Sequence, residues 1–186
     1  VHTHNVRSDL RSLLDYRYEP NFAELSPVSA KTFLGYKRPD GKVGIRNEVW
    51  IIPTVGCVNA VAKQIEVQAQ QYVRGGLEAV VAYSHPYGCS QLGGDLLYTQ
   101  RALCGLIRHP NAGGVLVLGL GCENNQISEL IKVLGPYDQN RVKFLTAQEV
   151  DDEIGAALDI LKDLCGRAAG CVRERSEERR VGKECM

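Results

Sequence analysis

The 186-residue sequence has no net charge, no apolar run approaching a bilayer span, and no pair of cysteines at C-x-x-C spacing. Each absence removes a class of function. Twenty-two Lys and Arg balance twenty-two Asp and Glu, so the basic footprint of a nucleic-acid binder is missing. A transmembrane helix needs about 20 consecutive apolar residues, and none are present, so no membrane partner is expected. Without C-x-x-C, a structural zinc domain lacks its usual ligand spacing. No G-x-G-x-x-G follows the first strand and no Walker lysine appears, which argues against a non-catalytic nucleotide-binding module. The opening Val-His-Thr-His-Asn has neither the charged nor the apolar segment of a secretory signal. It also lacks an initiator Met, so the chain is expected to begin inside a longer reading frame.

What is present is a core-forming composition, 44% apolar, with two alternating periods. Glu48 to Val55, Leu77 to Ser84, Val115 to Leu120 and Arg141 to Thr146 read as short apolar strands. Cys57 to Val73, Gly93 to Arg108, Asn124 to Leu134 and Ala147 to Cys165 carry helical spacing. Near-continuous apolar strands separated by helices mean a parallel sheet covered on both faces. The expected fold class is therefore α/β: a Rossmann-like sandwich with a mainly parallel four-stranded sheet, preceded by a hairpin and linker. Phe33 to Asn47 reads as that hairpin, turning at Pro39-Asp40-Gly41, and residues 7–32 as the linker. Residues 48–166 form the α/β unit. The charge-dense tail, 167–186, is expected to be foreign to the domain or disordered, with a solvated helix the alternative, and Cys171 and Cys185 are set aside with it.

Seven cysteines without a secretory signal suit a reducing cytoplasm and metal ligation better than a disulfide framework. Three of them follow a Gly in loops after strands: Val55-Gly56-Cys57, Tyr87-Gly88-Cys89 and Leu120-Gly121-Cys122. Glycine permits a sharp turn and close approach to a ligand, and a helix N-terminus favours the metal-binding thiolate. Loops at the carboxyl ends of parallel strands share one crevice, so Cys57, Cys89 and Cys122 are expected to meet. Soft thiolates select iron or zinc over magnesium. Cys104 and Cys165, among apolar helix neighbours, read as core. His85 and Glu123, in the same loops, are candidates for proton transfer. Arg46, Asn47, Asn59, Ser90, Gln91, Asn124, Asn125 and Gln126 could bind a carboxylate and hydroxyls, with helix capping the competing role. His2 and His4 form an H-x-H pair, usable as metal ligands on a strand and otherwise solvated. His109 reads as a helix-end residue.

The phrases GKVGIRNEVWIIPTVGCVN, SHPYGCSQLG and HPNAGGVLVLGLGCENNQ closely resemble the altronate dehydratase family, which includes galactarate dehydratase and the large subunit of sulfolactate sulfo-lyase. VHTHN resembles the end of the small SAF domain that precedes the catalytic region there, placing residues 1–6 in it, and DYRYEP resembles the following linker. The resemblance extends from Val1 to about Cys165. It implies a cytoplasmic hydro-lyase converting D-altronate to 2-dehydro-3-deoxy-D-gluconate in hexuronate catabolism. It also implies a need for iron, as Fe2+ or an iron–sulfur cluster, and a homodimer in the full-length enzyme. Galactarate dehydration and sulfolactate cleavage are the alternatives within it. Further Gly-Cys motifs are expected beyond Cys165, so this piece is expected to be inactive alone.

Overall fold

The computed structural model describes residues 32–177. Two sheets are built from seven strands. β1 (Thr32–Lys37) and β2 (Val43–Gly44) form the antiparallel hairpin, closed by a turn in which the Gly41 amide donates to the Arg38 carbonyl at 2.9 Å. β3 (Glu48–Pro53), β4 (Ala79–Ala82), β5 (Ala112–Gly119) and β6 (Val142–Thr146) make a parallel sheet in the order β4-β3-β5-β6. The α/β class expected from the alternating periods is the observed one. The helices α1 (Asn59–Ala69), α2 (Gly94–Ile107), α3 (Ile127–Leu134) and α4 (Glu153–Ala169) cover its two faces.

The unbroken apolar run of β3 is explained by burial on both sides. Val49 and Ile51 join the core cluster built with α1 and α4, while Trp50 and Ile52 face the cluster built with α2 and α3. Alternate side chains of one strand point to opposite faces, so both positions of the period must be apolar. α1 connects β3 to β4, whereas α2 carries the chain back past β3 to β5, and the two helices lie on opposite faces. The chain thus reverses direction in the sheet between β3 and β5. Ligand crevices in such sheets open at that reversal, outside the carboxyl ends of the strands.

The tail differs from expectation. Glu174–Glu177 forms a further strand, β7, antiparallel to β1, with Lys37 and Glu174 ion-paired at 3.0 Å. An open strand edge offers N–H and C=O groups to any extended segment, and pairing there needs no apolar face. Residues 1–31, with the SAF end, the linker, His2 and His4, lie outside the described residues, as does Cys185. Among the described residues no helix is long and apolar enough to cross a membrane.

Candidate functional site

The three Gly-Cys loops follow β3, β4 and β5, so all leave the same end of the parallel sheet. Their thiols, Cys57, Cys89 and Cys122, are exposed. Cys104 and Cys165 are buried in the core, and burial pushes both thiols up, Cys165 to about 11.

The loops are tied to one another rather than merely adjacent. Asn59 bridges the first and second: its amide Nδ2 donates to the His85 carbonyl at 2.8 Å, and its Oδ1 accepts from the His85 amide at 3.3 Å. The Gly56 amide donates to the Tyr87 carbonyl at 2.9 Å. The Asn125 amide reaches the Gly88 carbonyl at 3.1 Å, and its side-chain Nδ2 reaches the Thr54 carbonyl at 2.9 Å, joining all three loops. Gly88 has φ +101, and a Cβ there would strike the Thr54 carbonyl oxygen and come within 2.8 Å of the Val55 Cα. Glycine before Cys89 is therefore a packing requirement between loops.

Glu123 is the electrostatic anchor. Its carboxylate accepts from the Thr54 hydroxyl at 2.6 Å, the Gly121 amide at 2.6 Å and the Leu120 amide at 3.1 Å, and the residue is buried. Burial alone would raise its pKa, but these bonds outweigh it and hold the carboxyl below the ordinary carboxylate range. So held, Glu123 ties the loop after β5 to the loop after β3. His85 is similarly engaged. Its Nδ1 lies 3.2 Å from the Tyr87 amide, which can only donate, so Nε2 carries the proton and donates to the Pro53 carbonyl at 2.7 Å.

Several other residues fall where the crevice needs polar groups. Ser90 and Asn124 are exposed, and the Asn124 Oδ1 accepts from the Ser90 amide at 3.3 Å. Ser90 adopts a left-handed φ of 57°, rare for a non-glycine residue and frequent at functional loops. Gln91 turns inward, accepting from the Gly88 amide at 3.0 Å and donating to the Thr99 hydroxyl. Gln126 lines a cavity of about 310 Å³ beside the third loop, together with Gly121, Glu123, Thr146 and Glu149. Asn125 is buried, and its Oδ1 has no hydrogen-bond partner.

Two expected positions are corrected by topology. Arg46 and Asn47 precede β3 and so lie at the amino end of the sheet, opposite the thiols. Arg46 pairs with Glu48 at 3.1 Å, and the Asn47 amide donates to the Gly76 and Ala168 carbonyls while accepting from Arg38. Asn47 there is a structural clamp. His109, read as a helix-end residue, follows the end of α2, and its ring stacks on Trp50 at 5.2 Å.

The helices also begin later than their periodicity suggests. α1, α3 and α4 start at Asn59, Ile127 and Glu153 and α2 at Gly94, so Cys57 sits in a 3-10 turn before α1, and Cys89 and Cys122 stand, as expected, in loops ahead of α2 and α3. Side chains of Glu123, Asn124 and Gln91 capture loop N–H groups that would otherwise enter helices. Among the described residues no group of three or more His, Cys, Asp or Glu is gathered closely enough to hold a metal ion. The thiol chemistry suits iron, but the present positions do not enclose one. Thr54 and Gln148 were not anticipated. Thr54 is visible in the TVGCVN phrase only as a loop residue, and the Gln148 amide, 4.0 Å from the Cys122 thiol, comes from a segment with no motif.

The family profile described as D-galactarate dehydratase/Altronate hydrolase, second domain, matches residues 35–169. Altronate dehydratase of Escherichia coli is 45% identical over 190 aligned positions, and that of Bacillus subtilis 43% over 194. Each alignment takes in the whole of this chain but 38% of the relative, so the chain spans well under half of their length. The (2R)-sulfolactate sulfo-lyase subunit beta of Chromohalobacter salexigens is 38% identical over half of the chain, 22% of its own length.

Proposed function

Because the chain belongs to the D-galactarate dehydratase/altronate hydrolase family, we propose that it is the second-domain part of a hydro-lyase that dehydrates D-altronate to 2-dehydro-3-deoxy-D-gluconate. The observation that supports this most is the set of three interlocked Gly-Cys loops at one end of the sheet, with exposed thiols and the polar groups of Ser90, Asn124 and Gln126 beside them. The substrate assignment is supported by the names of the two altronate dehydratases, the product is what loss of water from altronate would leave, and the full-length enzyme is proposed to act as a cytoplasmic homodimer.

Dehydration of an aldonate removes the weakly acidic proton beside the carboxylate and expels the hydroxyl on the next carbon. The described residues supply binding and alignment for that step. Ser90, Asn124 and Gln126 are proposed to bond substrate hydroxyls, and Glu123, Asn59, Asn125 and His85 hold the three loops in register. Orientation of this kind lowers a barrier by fixing reactants before reaction. Cys57, Cys89 and Cys122 are proposed to contribute ligands to an iron centre, Fe2+ or cluster, which would supply Lewis-acid stabilisation of the developing charge when bound.

The test is an assay of a full-length family member with altronate, and galactarate as comparison, carrying the change corresponding to Cys89→Ser. Turnover of altronate should fall by at least tenfold. Unaltered turnover would remove the thiols from the site, and preference for galactarate would overturn the substrate assignment. Anaerobic reconstitution with iron, followed by Mössbauer spectroscopy, distinguishes a mononuclear ion from a cluster.

A further inference from the structure

We infer that the chain carries a second ligand site, for a small oxyanion bearing phosphate or carboxylate groups, in the cavity at the amino ends of the parallel strands. The cavity has a volume of about 350 Å³, and its wall includes Arg38, Lys42, Arg108 and Arg141 against Asp40 and Asp138. Arg141 immediately precedes β6, and Pro110, also in the wall, precedes β5. The cavity therefore lies at the opposite end of the sheet from the cysteine loops, and the inference does not rest on the dehydratase reading.

Charge is left over in this cavity. Asp40 is ion-paired with Lys42 at 3.3 Å, and Asp138 accepts from the Asn140 amide at 2.8 Å. Among the described residues, no ion pair involves Arg38, Arg108 or Arg141. Their guanidinium groups bond neutral acceptors: Arg38 the oxygens of Pro110 at 2.7 Å, Asn47 at 3.0 Å, Arg46 at 3.2 Å and Asn111 at 3.5 Å and the Cys171 sulfur at 3.9 Å, Arg141 the carbonyls of Ala112 and His109 at 2.9 Å, and Arg108 that of Leu134. Such bonds fix the direction of each fork without neutralising it. Nη1 of Arg141 and Nε and Nη1 of Arg108 have no acceptor among the described residues.

Burial lowers the pKa of Arg38 and of Arg141; the Arg38 charge lowers that of Arg141 further, and Asp40 and Asp138 offset part of the fall. Arg38 and Arg141 are thus like charges held partly out of water, only partly offset by Asp40 and Asp138, and the spare N–H donors belong to Arg141 and Arg108. Guanidinium forks match the planar and tetrahedral oxygens of carboxylate and phosphate, and charge-assisted bonds to them are about twice as strong as neutral ones. A small oxyanion relieves the repulsion and fills the donors.

Calorimetric titration of the 186-residue chain with inorganic phosphate, and separately with citrate, tests this at ionic strength held constant by sodium chloride. Saturable binding of either anion is expected, weakened at least tenfold in Arg141→Gln and in Arg108→Gln and unchanged in Lys162→Gln, an exposed lysine on α4. Binding of phosphate alone or of citrate alone identifies the preferred chemistry. If circular dichroism shows Arg141→Gln unfolded, Arg108→Gln, at an exposed position, decides. Absence of binding, displacement by chloride alone, or equal affinity in Arg108→Gln overturns the site.

Discussion

The Thr54 hydroxyl donates a 2.6 Å hydrogen bond to Oε1 of Glu123, joining the loops that follow the two central strands of the sheet. Both residues are buried, and the chain reverses its direction across the sheet between those strands. The pair ties those two loops together, and the thiols of the same loops, Cys57 and Cys122, stay exposed.

Removing the donor should therefore unsettle a buried charge. Thr54→Val is expected to cost about 1–3 kcal/mol, the usual penalty for stripping a partner from a buried polar group, read as a lower urea midpoint at pH 7. Glu123 has a depressed folded pKa, so its contribution is present above the ordinary carboxylate pKa and lost as pH falls through the lower folded value. The stability gap between wild type and variant should narrow at pH 3. A gap of equal size at both pH values would refute the charge linkage.

Gly88→Ala forces a Cβ against the Thr54 carbonyl in a backbone conformation with φ +101. A loss of about 2 kcal/mol or more is expected, combining left-handed strain with a steric clash that rigid backbone cannot relieve. Gly93, also at positive φ but with open space around its Cβ position, should tolerate the same change at about 1 kcal/mol. Equal effects at both glycines would show that loop contact plays no part.

Thiol labelling separates the cysteines by environment. In the native chain Cys57, Cys89 and Cys122 should react with a maleimide within minutes, whereas Cys104 and Cys165 should be protected until urea unfolds the protein. Exposure of the first three, and burial that raises the thiol pKa of the other two, set the order. Mass spectrometry of the labelled peptides reads it directly. Fast native labelling of Cys165 would contradict the core assignment.

Asn125→Asp replaces a donor to the Thr54 carbonyl by an acceptor, in a buried position next to the Thr54–Glu123 pair. The new carboxyl would be pushed up by burial and by Glu123, so its destabilisation is expected to grow as pH rises through the ordinary carboxylate range. About 3 kcal/mol or more should be lost at pH 7, and much less at pH 4. Urea midpoints at the two pH values check it; a pH-independent loss would point to shape alone.

Much of this architecture is written in local pattern. The apolar run EVWIIP must be buried on both faces, and it is the second strand in the four-stranded order. Gly-Cys phrases after three successive strands locate the crevice, because parallel strands send their carboxyl ends to one side. Pairings between loops are less legible. Nothing in the periodicity of β3 connects Thr54 to a carboxylate on the loop after β5, and nothing beside Cys122 shows that Glu123 accepts from Thr54, Leu120 and Gly121.

Arg46 and Asn47 show the same division from the other end. They are close in sequence to the first cysteine loop, but a strand of six residues separates them from it and carries them to the opposite end of the sheet. Strand and helix periods, charge balance and loop composition follow from residues near one another in the chain, so the sequence alone determines the α/β class and the end of the sheet where the thiols lie. Which carboxylate is locked, which arginines share a cavity and whether three thiols enclose an ion depend on distances between residues far apart in the chain. Those are set by the packing of the whole domain.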